Sequence, residues 1–420
     1  MASSKNTRRA SGTGSIHKKT VMRNGTAYTF WEAQVTVGSD PGTGKRIRKT
    51  FTGKTQKEVR EKMQEAAAAV QNGTYFEPSK MTVGEWLDLW LAEYCGDKKY
   101  LTQKHYKAQV EQHIKPALGA VKLGKLTAPQ IQKFYNTLGK TGRTVKKKDK
   151  KTGKITVTHE PLATKSIRNI HGIFTKALHV AVNVGYLQIN PADRVTLPRV
   201  EKKEIHPLTD AEVSAFYAEA QKDEYRYLLQ ILPFTGLRES EAIGLTWDCI
   251  DFDAQTITIK QQLVKKPKAD GGVGLAETKN SKIRVIKPAP TVMQLLKQRE
   301  RQQMEQRLKA GELWEGWQSE KERKTALVFT TLTGSYLSPQ TVYIHCKKLF
   351  DRIGAEDHTV HDLRHSYAVL SLQNGDNVKT VQGNLGHATA SFTLDVYGHV
   401  SERMKDDSAA RMEAYIAKMA

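Results

Sequence analysis

Pro233-Phe-Thr-Gly-Leu-Arg-Glu-Ser-Glu241 sets a proline and a glycine ahead of an arginine and two carboxylates. Proline and glycine break one helix and let the next begin, so Arg238 is expected near a helix N-terminus, where free N–H groups and the helix dipole favour anions. Glu241, three residues on, shares a helical face with Arg238 and is expected to orient it, not to act as an acid. Downstream, in order, follow Thr278-Lys-Asn-Ser-Lys-Ile-Arg284, His361-Asp-Leu-Arg-His365, Leu385-Gly-His387 and Val396-Tyr-Gly-His399. Each segment is weak alone. Their order, Arg, Lys, His, Arg, His, Tyr, is the informative feature.

Those residue types suit phosphodiester chemistry without a metal. Metal ions would neutralise the pentavalent phosphorane, activate the nucleophile and protonate the leaving oxygen. Arginine can take the first task, because its planar fork gives two hydrogen bonds to a phosphate and keeps its charge at any working pH. Arg238 and Arg364 are the candidates. Helical spacing sets His361 beside Arg364 and His365, and histidine, with an ordinary pKa near ~6.5, can donate a hydrogen bond or exchange a proton at neutrality. Lys279 lies in a turn-like segment from which a long cation can reach into the DNA minor groove, with Lys282 and Arg284 close enough to compete for that assignment.

Composition agrees with an anionic partner. A net charge of +22 over 420 residues exceeds what solubility requires, and it favours nucleic acid over an anionic membrane, a merely basic surface being the plain alternative. Cys95, Cys249 and Cys346 are too far apart for a disulfide framework or a cysteine zinc site. The polar start Met1-Ala-Ser-Ser-Lys5 and the lack of any apolar run near the ~20 residues of a membrane span predict a soluble intracellular protein. At roughly 100–200 residues per domain, three domains are expected.

Residues 1–12 are small, polar and basic, and should stay disordered. Trp31-Glu-Ala-Gln-Val-Thr-Val37 alternates as a half-buried strand does, and a turn at Asp40-Pro-Gly-Thr-Gly-Lys45 leads to a second strand, Arg46-Ile-Arg-Lys-Thr-Phe51. Thr55 with Glu58 caps a helix bearing Val59, Met63, Ala66 and Val70 on one face. Thr82 with Glu85, and Thr127 with Gln130, open further helices, and Ile167, Ile170, Phe174, Leu178 and Ala181 mark another that stops near Gly185. Arg143 to Thr158 is a basic hairpin or a mobile loop. Leu197 to Pro207 reads as an extended linker, Thr209 with Glu212 caps the next helix, and 255–259 and 283–285 read as strands in a mainly helical remainder.

The quoted segments resemble the signature of the tyrosine recombinase (phage integrase) family, strongly over 205–400, and the basic N-terminal unit resembles that of three-domain integrases from temperate phages and conjugative transposons. The resemblance implies a multidomain α+β chain: a disordered basic tail (1–12), an arm-type DNA-binding domain of a three-stranded sheet plus helix (13–73), an all-α core-binding domain (81–196), a linker (197–207), a mixed, mainly helical catalytic domain with a small sheet (208–400) and a C-terminal tail helix (401–420). It implies Tyr397 as the nucleophile that forms a 3′-phosphotyrosine, Lys279 as general acid toward the 5′ oxygen, and Arg238, His361, Arg364 and His387 as phosphate ligands. Lys45, Arg46, Arg48 and Lys49 would be arm-site contacts.

Implied with these are double-stranded DNA with core and arm-type sites, a homotetramer that passes through a Holliday junction, an accessory excisionase, action in the bacterial cytoplasm away from any membrane, and no metal or other cofactor. The clustered residues Met412, Tyr415, Ile416 and Met419 suggest a tail helix over 407–419 that docks on a neighbouring subunit or within its own. Three rivals stand beside this reading. A type IB topoisomerase runs the same phosphotyrosine chemistry, a non-catalytic architectural DNA-binding protein would need only the charge, and a His-Glu-x-x-His zinc protease shares the histidine spacing but not the glutamate.

Overall fold

The computed structural model describes residues 15–23, 26–39, 43–72, 80–148, 153, 155–200, 206–278, 283–386, 409–410 and 412–419. Residues 40–42 of the turn expected at 40–45, the tail at 1–12 and residues 201–205 of the expected linker lie outside them. The chain divides into two compact units, Met1–Val200 and Glu201–Ala420. It is a mixed α+β protein, mainly helical with small antiparallel sheets, as its patterns predicted.

The first unit opens with strands β1 (Ile16–Arg23), β2 (Thr26–Ser39) and β3 (Arg46–Gly53), antiparallel in the order β1-β2-β3. The alternation of β2 buries Ala33 and Val35 on one face, and helix α1 (Gln56–Gln71) packs over that sheet through Val59 and Ala66. The capping pattern at Thr55 forms with a shift: Thr55 accepts from the Glu58 N–H, but the Glu58 carboxylate takes the N–H of Lys54 instead of the cap residue's own.

Helices α2 (Val83–Glu93), α3 (Tyr100–Gln109), α4 (Lys115–Leu118), α5 (Ala128–Thr141) and α6 (Thr164–Asn183) follow, with a ribbon of β4 (Arg143–Lys148) and β5 (Ile155–Glu160) between the last two helices. Both expected capping boxes close, Thr82 with Glu85 and Thr127 with Gln130, each satisfying helix-start N–H groups that would otherwise have no partner. The core is aromatic: Trp86, Trp90, Phe134 and Phe174 are buried together. The Trp86 indole N–H donates to the Ala177 carbonyl at 3.0 Å, tying α2 to α6.

The second unit is built from α7 (Asp210–Ala220), α8 (Arg226–Thr235), α9 (Glu239–Ala242), α10 (Pro290–Ala310), α11 (Glu320–Lys324), α12 (Pro339–Arg352), α13 (Val360–Gln373) and α14 (Val378–Leu385). Its sheet has the order β10 (Arg284–Ile286), β7 (Thr256–Ile259), β6 (Ile250–Asp251), and β8 (Gln261–Lys265) pairs with β9 (Val273–Glu277) as a separate hairpin. Phe216, Leu229, Leu296, Leu349 and Phe350 form the centre of the helical body. One expectation needs correcting. Pro233 does not break its helix but lies inside α8, which runs on to Thr235. So near the C-terminus the missing N–H removes one ladder bond only, and Gly236, at φ +63°, ends the helix.

Replacing Trp86 by alanine empties an aromatic site and removes the indole hydrogen bond to the Ala177 carbonyl. Trp86→Ala should cost about 3–5 kcal/mol, read as a lower urea midpoint for the first unit; an unchanged midpoint would show that α2 and α6 do not depend on this contact.

Candidate active site

Four of the motif segments meet in the second unit, and two arginines hold them there. Glu241 is the shared anchor. It sits in the first turn of α9 with only 2% of its surface exposed, and its carboxylate takes the Arg238 backbone N–H at 3.0 Å and Arg238 Nη1 at 2.8 Å. It also takes both Nη atoms of Arg284, at 3.1 and 2.6 Å. Burial by itself would raise the Glu241 carboxyl; the hydrogen bond and charge of Arg284, and then those of Arg238, outweigh it and hold the group down at about 2. The expectation that Glu241 orients Arg238 thus has a geometric basis. The bond to Arg284 was not foreseen.

Arg284 begins β10 and uses its third donor elsewhere: Nε gives to the Asn384 carbonyl at 2.8 Å, so one guanidinium links α9 to the end of α14. Arg364, on α13 and 2% exposed, makes the second cross-link, with Nη1 on the Gly236 carbonyl and Nη2 on the Leu385 carbonyl, each at 2.5 Å. The glycines are required at these crossings. A Cβ on Gly236 would lie 2.5 Å from the Tyr367 ring and 2.8 Å from Leu385, and Gly236 and Gly386 hold φ values of +63° and +66° that side chains rarely adopt. Asn384 Nδ2 donates to the Tyr367 hydroxyl at 3.0 Å, adding a third tie between α13 and α14.

Thr359 and Asp362 form a capping box at the start of α13, so the acid between the two histidines is occupied as a helix cap. The His361 and His365 rings meet edge to face, 4.7 Å between centroids. Partial desolvation, then the charges of Arg364 and Arg238, pull His361 below its ordinary range although the residue is exposed. Burial, then His361, takes His365 down to about 4. Both shifts favour the neutral imidazole, which accepts a hydrogen bond at one nitrogen while donating from the other. Glu239, next to Arg238, turns inward; its Oε1 has no hydrogen-bond partner among the described residues, and burial raises its carboxyl to about 7.

Arg238, Glu241, His361 and Arg364 are therefore gathered at one place. Lys279, His387 and Tyr397 lie outside the described residues. The residues just before two of them are described: buried Thr278 precedes Lys279, and the Asn384-Leu385-Gly386 turn, held through the Asn384 and Leu385 carbonyls, precedes His387. Of the residues proposed for a second DNA contact, Lys45, Arg46 and Arg48 are exposed, whereas the pairing of Lys49 with Val35 places it, half-buried, on the face that α1 covers. No group of three or more His, Cys, Asp or Glu side chains suited to a metal ion occurs among the described residues.

The sequence profile of the phage integrase family matches residues 199–404, and that of the phage integrase N-terminal SAM-like domain matches residues 82–139. The chain belongs to the phage integrase family. This integrase-family chain is 29% identical over 409 residues to a XerC-like tyrosine recombinase of Caldanaerobacter subterraneus, covering 93% of this chain and 97% of the relative. It is 24% identical to the ICEBs1 integrase of Bacillus subtilis, covering 91% and 96% of the two chains. Among solved structures it is similar to the Tn1549 transposon integrase in complex with a circular intermediate DNA, with a TM-score of 0.61 and 21% identity over 80% of this chain and 99% of that one.

The Glu241 anchor gives a signed pH dependence. A carboxyl lowered from 4.5 to about 2 contributes stability that is complete above pH 4.5 and is lost as pH falls toward 2, a span worth roughly 3 kcal/mol. Glu241→Gln should lower stability in urea at pH 7 by at least that order, and the gap to wild type should narrow by pH 3; parallel profiles at the two pH values would contradict the anchor.

Proposed function

We propose that the chain is a site-specific recombinase that integrates or excises a mobile element by cutting and rejoining DNA through a 3′-phosphotyrosine. The observation that supports this best is the paired arginine cross-link, which fixes Arg238 and the turn before His387 relative to His361. In the proposed reaction the Tyr397 hydroxyl loses its proton and attacks the scissile phosphorus, the bond to the 5′ oxygen breaks, and Lys279 gives that oxygen a proton. Arg238 and Arg364, with hydrogen bonds from His361 and His387, neutralise charge on the phosphorane. Attack of a 5′ hydroxyl from another strand then reverses the step. One phosphodiester replaces another, so no nucleotide triphosphate is consumed.

The sheet and α1 are assigned to arm-type sites, with exposed Lys45, Arg46 and Arg48 as contacts and Lys49, on the covered face, set aside, and the helices of 81–196 to the core site, leaving 208–400 as the catalytic part. Work on two duplexes through a Holliday junction calls for four copies of the chain, and an excisionase would set direction. Among the described residues no helix is long and apolar enough to cross a membrane. The reading places the reaction in the bacterial cytoplasm.

The test is covalent trapping. Incubated with pooled nicked duplexes, the wild-type chain should give a protein–DNA adduct, and Tyr397→Phe should bind equally well yet give none; an adduct from the Phe variant would move the nucleophile elsewhere.

A further inference from the structure

The ribbon β4–β5 stands outside both family matches, since the SAM-like match ends at residue 139 and the second begins at 199. Its six pairs run from Arg143↔Glu160 to Lys148↔Ile155, a length of ~20 Å at about 3.3 Å per residue. Nearly every side chain described on it is exposed, including Ile155 at 59% and Val157 at 49%. Two strands with no covering layer are marginal in water, and outward Ile and Val make such an edge a liability unless something covers it.

Charge says what would. From Arg143 to Glu160 the sequence holds Arg143, Lys146, Lys147, Lys148, Lys150, Lys151 and Lys154 against Asp149 and Glu160, so 7 cations less 2 anions leave +5 in 18 residues. Like charges at this density repel each other in the free protein. Among its described side chains the ion pair is a surface one, Arg143 with Glu160 at 3.8 Å. At the ribbon's foot an open trough of about 1040 Å³ runs between α5 and α6, and its lining, which includes Gln132, Asn136, Lys140, Arg143, Thr164 and Ser166, contains no acidic residue.

We propose that this ribbon is an additional DNA-gripping arm of the first unit, laid along a duplex with Lys146, Lys147 and Lys148 on phosphates and Ile155 and Val157 against the groove wall. The inference rests on the reading of the chain as a DNA recombinase. A two-stranded ribbon fits the ~12 Å width of a B-DNA major groove, and apolar side chains there can meet thymine methyl groups. Phosphate contacts add affinity without sequence choice, so the arm would strengthen binding to any duplex.

The experiment compares the full chain with a K146S/K147S/K148S variant on a 60-base-pair mixed-sequence duplex, by fluorescence anisotropy over a series of salt concentrations. Loss of three phosphate contacts should reduce the slope of log K against log salt by about 2–3, at ~0.9 per phosphate, and weaken binding at least ~10-fold at low salt. A second variant, I155S/V157S, should weaken binding with the slope unchanged, and matching urea midpoints exclude unfolding. Wild-type slope and affinity in both variants would overturn the proposal while leaving the recombinase reading intact. A wild-type chain that itself fails to bind DNA would overturn that reading first. Altered self-association in sedimentation with an unchanged slope would assign the ribbon to a second copy of the chain, and would also overturn it.

Discussion

One buried carboxylate organises the catalytic half of this chain. Glu241 is almost wholly removed from water and is surrounded by two guanidinium groups, Arg238 from its own turn and Arg284 from β10. An isolated carboxylate in that place would be neutralised by protonation; here the two cations keep it ionised. The carboxylate in turn lets two positive side chains approach each other, and Arg284 reaches on to Asn384 and so fixes the turn that leads into His387. The cost of burying these charges is offset by a complete set of directed hydrogen bonds, the condition under which buried ion pairs persist.

Arg364 has a related part. Sequence spacing put it beside His361, facing a phosphate. In the fold its two Nη atoms are seated on the carbonyls of Gly236 and Leu385, so it braces the first and fourth motif segments from beneath. Gly236 and Gly386 are needed where the backbone comes close enough for that brace, and their left-handed conformations turn the chain there. The motif arginines thus shape the site mechanically as well as electrically.

Much of this was legible in the residues. Local chemistry was clearest: the capping boxes at Thr82, Thr127 and Thr209 and the bond from Arg238 to Glu241 depend on groups three residues apart, and spacing alone reveals them. Long-range partners were not. Arg284 and Glu241 are 43 residues apart, and nothing in either neighbourhood points to the other. The family resemblance implied a third strand in the N-terminal sheet, but residue pattern alone does not locate β1, which pairs along β2 with no buried residue among those described on it; the β8–β9 hairpin is hidden because its few apolar positions sit among polar ones. Pro233 misled because a proline near a helix end removes little.

The central claim is that Arg284 acts on cleavage through Glu241. A double-mutant cycle on the rate of covalent adduct formation with a nicked duplex measures it directly, using Glu241→Gln, Arg284→Met and the pair. If the claim holds, each single change slows the reaction at least ~10-fold, while adding Arg284→Met to Glu241→Gln slows it less than about 3-fold further. Two losses that multiply in full would mean that the residues act independently, and that the carboxylate is not the anchor through which Arg284 works.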